Sequence, residues 1–169
     1  MTETLDGTIP ADVSRLAEEV LRHAHEARLS LAAAESCTGG LLSSLLTDVE
    51  GYAHAFERGF VAYSERSKHE LLGVGRDLLR LHGAVSEAVA RAMAEGALAA
   101  ADADVAIAIT GFAGRGAPDE EPGLVHFAVS RIGRATAHRE EHFGDIGRGA
   151  VRLKCLRCSL EMLDKALAG

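Results

Sequence analysis

Apolar residues along this chain follow two spacings, one typical of buried strands and one typical of amphipathic helices. The segment from Asp104 to Thr110 is apolar on both faces and is bounded by Asp and Gly, which predicts a central strand covered on both sides. Shorter apolar runs at 29–34 and 59–63 predict two more buried strands. Segments 124–131 and 135–142 have the pattern of a hairpin that turns at 132–134.

Helical spacing fills much of the chain between these strands. Pro10 opens a first amphipathic helix, and further helices are predicted from Gly39 onward and around 77–81. Ser64 and Ser86 each precede a glutamate, which makes both serines good N-cap candidates. The last helix is expected to pack through a leucine stripe at Leu153, Leu156, Leu160, Leu163 and Leu167.

The predicted element order is α-β-α-β-α-α-α-β-β-β-α. This order fits an α/β protein, a three-layer α/β/α domain built on a mixed sheet of about five strands. A chain of 169 residues is long enough for one full hydrophobic core, and no repeat, linker or low-complexity tract divides it. We therefore expect a single domain that spans residues 1–169.

Composition and charge exclude several classes of function. The formal net charge of −7 argues against nucleic acid as a partner, because phosphate contacts require clustered positive charge. No apolar run approaches the ~20 residues of a membrane-spanning helix, and the first residues lack the pattern of a secretory leader. We expect no membrane partner and a cytoplasmic location. The histidines lack metal-ligand spacing, and Cys155 and Cys158 fit buried thiols on a helix, so no metal or other cofactor is expected.

Three polar junctions each follow a predicted strand, at 35–40, 63–68 and 110–116. The strand ends of an open α/β sheet gather at one edge, where ligands usually bind. These junctions are therefore expected to converge on one site. The first junction contains more reactive and hydrogen-bonding groups than a plain turn needs.

Ser36 is the candidate nucleophile at the first junction. A serine must lose its proton to a base, and Lys68, one turn into the helix after the second strand, can point back over the same edge. Partial desolvation would lower the pKa of this lysine toward neutrality, and Tyr63 is placed to relay the proton or orient the lysine. Cys37 is the rival nucleophile, although no histidine is paired with it. Glu35 is either a hydrogen-bonding support or an acid–base group.

Glycine-rich turns at the first and third junctions suit an oxyanion or a phosphate. The turn at 38–40 can present unpaired backbone N–H groups, although Thr38 could equally be a plain helix cap. The loop at 111–116 has the composition of a phosphate-binding loop but no Walker sequence. Thr110 could donate or accept a hydrogen bond at the reacting centre. Arg115 and Arg148 could bind a phosphate or could be surface residues.

Four segments, taken in order, resemble the CinA C-terminal domain family: AESCTGG at 34–40, YSxxxKxxxLGV at 63–74, GAVSE at 83–87 and AITGxAGxG at 108–116. The resemblance runs from about residue 12 to the last helix. It implies hydrolysis of the carboxamide of nicotinamide mononucleotide to nicotinate mononucleotide and ammonia, in the salvage of pyridine nucleotides. It also implies an α/β/α domain that works without a metal and is often a homo-oligomer.

The resemblance also implies roles for individual residues. The nucleophile of the family corresponds to Ser36, its lysine to Lys68, and its supporting hydroxyls to Tyr63 and Thr110. The residues expected to bind the substrate around them are Glu35, Cys37, Thr38, Gly39, Gly40, Gly111, Gly114, Arg115 and Gly116.

The chain departs from the family pattern in the loops that should hold the substrate. Glu65 stands where many relatives have asparagine, and Arg115 stands where many have proline. Segment 119–124 reads DEEPGL, where relatives usually carry a lysine. Two alternatives therefore stay open: an amidase for another small phosphorylated amide, and a catalytically silent nucleotide-binding domain associated with competence.

Overall fold

The computed structural model describes residues 9–168 and contains a five-stranded mixed sheet with the strand order β2-β1-β3-β4-β5. Strand β1 is parallel to both β2 and β3, whereas β4 is antiparallel to both β3 and β5. The predicted sheet of about five strands is confirmed. The strands are β1 (Leu31–Glu35), β2 (Phe56–Val61), β3 (Val105–Gly111), β4 (Leu124–Arg131) and β5 (Ala137–His142).

Six α-helices cover the two faces of this sheet, as the predicted three-layer arrangement requires. One face packs against α1 (Ala11–Ala27), α2 (Leu41–Thr47) and α6 (Arg148–Leu167), and the other packs against α3 (Glu65–Leu72), α4 (Arg76–His82) and α5 (Glu87–Ala101). A single 3₁₀ turn at Ala53–Ala55, which the sequence pattern did not indicate, precedes β2. Within residues 9–168, no helix is both long and apolar enough to cross a membrane.

Side chains of different size cover the two faces of the central strands. On β3, Val105, Ile107 and Ile109 face α1 and α6, whereas Ala106 and Ala108 face α5. Small side chains let a helix approach the sheet closely, and α5 presents alanines of its own at 90, 94, 97 and 101. Helix α5 therefore packs with its backbone close to the sheet, whereas α6 packs on the opposite face through large aliphatic side chains.

Most predicted elements are confirmed, and two predictions require correction. The run 59–63 was expected to be a buried strand, but β2 lies at the edge of the sheet and is mostly exposed, because no strand pairs with its outer side. The helix expected from Gly39 begins at Leu41, because Gly39 and Gly40 adopt positive φ angles of 60° and 95°. The predicted caps hold: Ser64 Oγ accepts from Ser67 N–H, and Ser86 Oγ accepts from Val89 N–H.

The contact between α5 and α3 generates a stability prediction at Gly96. A Cβ at this position would lie 1.9 Å from the carbonyl oxygen of Leu72, which belongs to the backbone and has little freedom to move. We expect Gly96→Ala to lower the free energy of unfolding by about 2–3 kcal/mol through overpacking. Urea denaturation measures this change.

Gly149 in α6 is the matched control, because a Cβ there would meet no atom within 4 Å. Gly149→Ala should leave stability unchanged or raise it by up to ~1 kcal/mol, since alanine is the better helix former. Equal effects of the two substitutions would contradict the packing argument.

Candidate active site

The three polar junctions meet at one edge of the sheet, around a cavity of about 330 Å³. The cavity brings together nine of the residues singled out from the sequence: Ser36, Cys37, Tyr63, Lys68, Thr110, Gly111, Gly114, Arg115 and Gly116. It is also lined by Arg148 and by five residues that were not named individually from the sequence: Ala84, Val85, Phe112, Ala113 and Glu120. Glu35, Thr38, Gly39 and Gly40 do not line it.

Ser36 and Lys68 are in direct contact at the base of this cavity. Ser36 follows β1, and its N–H donates to the carbonyl of Ile109 on β3 at 3.0 Å, which continues the strand pairing by one residue. Lys68 lies one turn into α3, and its Nζ donates to Ser36 Oγ at 2.9 Å. The cap at Ser64 fixes the start of α3, and therefore where Lys68 projects.

The amine of Lys68 is desolvated, and its hydrogen-bond partners are uncharged oxygen atoms. The residue is 1% exposed, and besides Ser36 Oγ its Nζ donates to the carbonyl oxygens of Ala62 at 2.9 Å and Tyr63 at 3.3 Å. Burial lowers the pKa of Lys68, and the negative charges of Cys37 and Glu65 oppose this by raising it. An amine of lowered pKa in contact with a hydroxyl is suited to accept its proton.

Tyr63 contacts the lysine through its main chain. Its carbonyl oxygen accepts from Lys68 Nζ, while its side chain lines the cavity and the residue is 68% exposed. Orientation of the lysine was one of the two roles suggested for Tyr63. The carbonyl oxygens of Ala62 and Tyr63 provide this orientation. The phenol lies at the open side of the cavity, where it can meet a ligand.

Glu35 supports the turn and is fully buried. Its carboxylate accepts from the backbone N–H groups of Leu42 at 3.0 Å and Ser43 at 2.7 Å, and from the Ser43 hydroxyl at 2.7 Å. The N-cap residue of α2 is Gly40, which has no side chain, so a carboxylate from the neighbouring strand satisfies the first turn instead. Of the two roles left open for Glu35, this geometry favours the hydrogen-bonding support.

The turn at 38–40 lies behind the cavity, and the N–H groups of Gly39 and of Leu41, the first residue of α2, are already bonded. Gly39 N–H donates to Ser36 O at 3.1 Å, and Leu41 N–H donates to Thr38 O at 3.1 Å. The same carbonyl of Thr38 accepts from the Arg152 guanidinium at 2.6 Å. These N–H groups therefore shape the turn and are not directed at a ligand.

Thr110 and Gly111 hold the walls of the cavity together. The Thr110 hydroxyl donates to the carbonyl of Ala84 at 2.7 Å, which fixes the segment before α5 beside Ser36. A Cβ at Gly111 would lie 2.7 Å from the carbonyl oxygen of Leu124, so only glycine permits β4 to approach here. The Thr110 oxygen keeps its acceptor capacity toward the cavity.

Charged side chains surround the loop 111–116. Arg115 is paired with Asp145 at 2.5 Å, and its side chain is 83% exposed. The guanidinium of Arg148 lies against Gly114, its nearest nitrogen 3.6 Å from where a Cβ would stand. Glu120 folds back onto the loop, where its carboxylate accepts from Ala117 N–H at 3.0 Å and fills the space beside Gly116. Glu65 lines a different, neighbouring cavity.

Metal ligands are not grouped in the part of the chain that the structure describes. Among residues 9–168, no cluster of three or more His, Cys, Asp or Glu side chains has a metal-binding arrangement.

The fold and these motifs match proteins of one family. The family model of the CinA C-terminal domain matches residues 13–167. The chain belongs to the CinA C-terminal domain family. The crystal structure of competence/damage inducible protein CihA from Agrobacterium tumefaciens superimposes on this CinA domain with a TM-score of 0.91 and 40% identity, covering 100% of both chains.

Relatives of this CinA domain differ in length. The nicotinamide-nucleotide amidohydrolase PncC of Escherichia coli (strain K12) is 41% identical over 156 residues, which cover 90% of this chain and 93% of that protein. The chain spans only about a third of the length of other curated relatives. One of these, a CinA-like protein from Syntrophus aciditrophicus, is 42% identical over 98% of this chain and 37% of its own length.

The buried lysine generates a prediction about pH and stability. The native pKa of Lys68 is lowered from the ordinary lysine value. At pH values between the native pKa and the ordinary pKa of the unfolded chain, the unfolded state binds more protons than the native state. The free energy of unfolding therefore rises with pH in this range. Lys68→Met removes this contribution. The unfolding free energy of the wild type minus that of Lys68→Met should therefore increase as the pH rises toward the ordinary lysine pKa of about 10.4, as measured by urea denaturation.

Lys165→Met is the matched control, because Lys165 is exposed on α6. Its unfolding free energy should follow the wild type with a constant offset across the same pH range. A constant offset for Lys68→Met as well would show that the Lys68 amine is not desolvated in the native state.

Proposed function

We propose that this CinA domain is a nicotinamide-nucleotide amidohydrolase that hydrolyses the carboxamide of nicotinamide mononucleotide through Ser36 and Lys68. The observation that carries the proposal is the 2.9 Å contact between Lys68 Nζ and Ser36 Oγ on the floor of a cavity. The proposal is supported by the 41–46% identity to two proteins named nicotinamide-nucleotide amidohydrolase PncC, of which the chain covers 79% and 93%.

The first chemical step requires an unprotonated lysine. With its pKa lowered by burial, Lys68 accepts the Ser36 hydroxyl proton as the serine oxygen attacks the carboxamide carbon. The carbonyl oxygens of Ala62 and Tyr63 hold the amine in place and stabilise the ammonium that forms. We therefore assign the general-base role to the lysine, and the 2.9 Å contact with Ser36 Oγ supports this assignment.

The second step is expulsion of ammonia. Lys68, now protonated, donates its proton to the departing nitrogen, which leaves an acyl-enzyme on Ser36. A water molecule then attacks the ester with the same lysine as base, releasing the acid and restoring the serine. Because the N–H groups of Gly39 and Leu41 are already bonded, we assign stabilisation of the oxyanion to groups on the loop side of the cavity, beside Thr110.

Recognition of the nucleotide phosphate is assigned to the loop 111–116 and the start of α6. Arg148 lies against Gly114 and can form a bidentate contact with a phosphate. Arg115 contributes positive charge at the mouth of the cavity, although it is shared with Asp145. Two arginines and an exposed tyrosine ring thus surround the opening, which suits an aromatic base linked to a phosphate.

The test of the mechanism is ammonia release from nicotinamide mononucleotide by purified protein. Ser36→Ala should lose activity by at least ~1,000-fold, because the nucleophile is removed. Lys68→Met should lose about 100- to 10,000-fold, as expected for removal of a general base. Circular dichroism confirms that each variant is folded.

Cys37→Ala separates the two candidate nucleophiles. Its loss of activity should be far smaller than that of Ser36→Ala, because the lysine contacts the serine oxygen. Full activity of folded Ser36→Ala, or equal losses for the two variants, would contradict Ser36 as nucleophile. Silence of the wild type toward the nucleotide would favour a binding domain, which a ligand-induced shift in melting temperature would detect.

Glu120 generates a second prediction, about substrate charge. Its carboxylate occupies the loop where a phosphate would bind, and two like charges about 4 Å apart repel by about 1 kcal/mol when water fully screens them. Glu120→Gln should therefore lower KM for the mononucleotide by about three- to tenfold with little change in kcat. The exposed Glu50→Gln, on the other side of α2, is the control and should change neither constant.

The Glu120 carboxylate also supports an alternative class of substrate, amides with less negative charge than the mononucleotide. If the wild type prefers an amide that lacks the phosphate, such as the cationic nicotinamide riboside, and Glu120→Gln reverses that preference, the natural substrate carries less negative charge than the mononucleotide. Equal KM values for wild type and Glu120→Gln with every substrate would show that Glu120 is displaced before the ligand binds.

A further inference from the structure

Two cysteine thiols lie in contact immediately beside the serine–lysine pair. The Cys37 and Cys155 thiols are close enough to shift each other's pKa, and both are buried in the core between the sheet and the helices α1, α2 and α6. Neither thiol has a place in the hydrolysis mechanism. The third cysteine, Cys158, lies elsewhere, in the wall of a separate cavity between α6 and the start of α1.

The direction of the chain at the end of β1 explains why these two residues meet. Successive residues point to opposite faces of a sheet, so Ser36 projects toward α3 while Cys37 joins the core that contains α6. On α6, Arg152 donates to the carbonyl of Thr38 at 2.6 Å. Cys155 is three residues further along the same helix face, which brings it to the same turn.

Cys37 is the thiol that small molecules can reach. It is 7% exposed and lines the catalytic cavity, whereas Cys155 is fully buried behind it. The proximity of Cys155 lowers the pKa of Cys37, and the proximity of Cys37 together with burial raises the pKa of Cys155. Cys37 is accordingly the sulfur that ionises, and a thiolate is the form that reacts with oxidants.

We propose that Cys37 and Cys155 form an oxidisable pair, in which hydrogen peroxide entering the catalytic cavity converts the two thiols into a disulfide that inactivates the site. The Cys37 thiolate attacks one peroxide oxygen, the O–O bond breaks, and a sulfenic acid and hydroxide result. The Cys155 thiol then attacks the Cys37 sulfur, which forms the S–S bond and releases water. In sum, two thiols and one peroxide give one disulfide and two waters.

Loss of activity follows from the length of the new bond. A disulfide holds its sulfur atoms about 2.05 Å apart, much closer than two thiols in non-bonded contact. Cys155 is fixed within the packed helix α6, so the turn at 36–38 must move toward it. A displacement of about 1 Å at a nucleophile can reduce the rate by about 100-fold. This consequence for activity rests on the proposed function, whereas formation of the disulfide does not.

Peptide mapping tests the pairing directly in the wild-type protein. Trypsin separates the three cysteines, because Cys37 lies in the peptide 29–58, Cys155 in 155–157 and Cys158 in 158–165. After treatment with hydrogen peroxide and alkylation of the remaining thiols, we expect peptide 29–58 to be linked to 155–157 while 158–165 is alkylated. A link through 158–165, or oxidation of Cys37 to a sulfinic acid with no link, would overturn the proposal.

Two variants provide matched controls within the same helix. Cys158→Ala should form the link as the wild type does and should be inactivated in the same way. Cys155→Ala, or Cys155→Ser if the alanine variant does not fold, should form no link. Dithiothreitol should raise the activity of the peroxide-treated wild type and of peroxide-treated Cys158→Ala at least tenfold. It should not raise the activity of the Cys155 variants.

The two readouts also distinguish this proposal from the proposed function. A linked peptide in a protein without amidohydrolase activity would confirm the oxidisable pair and contradict the proposed reaction. Amidohydrolase activity in a protein that gives no linked peptide under peroxide would overturn the pair and leave the reaction intact.

Discussion

The hydrogen bond from Ser36 N–H to the carbonyl of Ile109 is the constraint on which the geometry of the site depends. It holds the chain in extended pairing with β3 for one residue beyond β1, so the alternation of side chains continues past the end of the strand. Glu35 therefore faces α2, Ser36 faces α3, and Cys37 faces α6. Three adjacent side chains thus reach three different helices.

The buried amine of Lys68 is a cost that the surrounding structure must offset. A desolvated lysine disfavours its charged form, and the three oxygen atoms around Nζ are all uncharged. The close packing of the α5 layer makes the burial of Lys68 possible. Helix α3 is held against α5 where Leu72 meets Gly96, and there is no room for an added methyl group at this contact. Close packing on this side places the lysine over the strand end and also excludes the water that would restore its ordinary pKa.

Local sequence signals predicted the elements well, and non-local contacts account for what they missed. The strand at 104–110 and the helix caps at Ser64 and Ser86 each depend on neighbouring residues, so their patterns are visible in the chain. The edge position of β2 depends on strand order, which no segment encodes by itself. The pairing of Arg115 with Asp145 joins residues 30 positions apart, and composition alone could not indicate it.

The candidate site shows the same division between local and non-local information. Ser36 follows β1 and Lys68 lies one turn into the helix after β2, so their convergence could be anticipated. The position of Glu120 could not, since its carboxylate turns back onto its own loop. Glu35 looked chemically reactive in the sequence because a carboxylate beside a serine suggests acid–base chemistry. Its actual partners, the N–H groups of Leu42 and Ser43, follow from a helix whose cap residue is a glycine. Where a cap residue has no side chain, a nearby carboxylate is better interpreted as the missing cap than as a catalyst. By the same reasoning Cys37, which faces α6, is better interpreted as the partner of Cys155 than as a rival to Ser36, because the only amine at the turn contacts the serine.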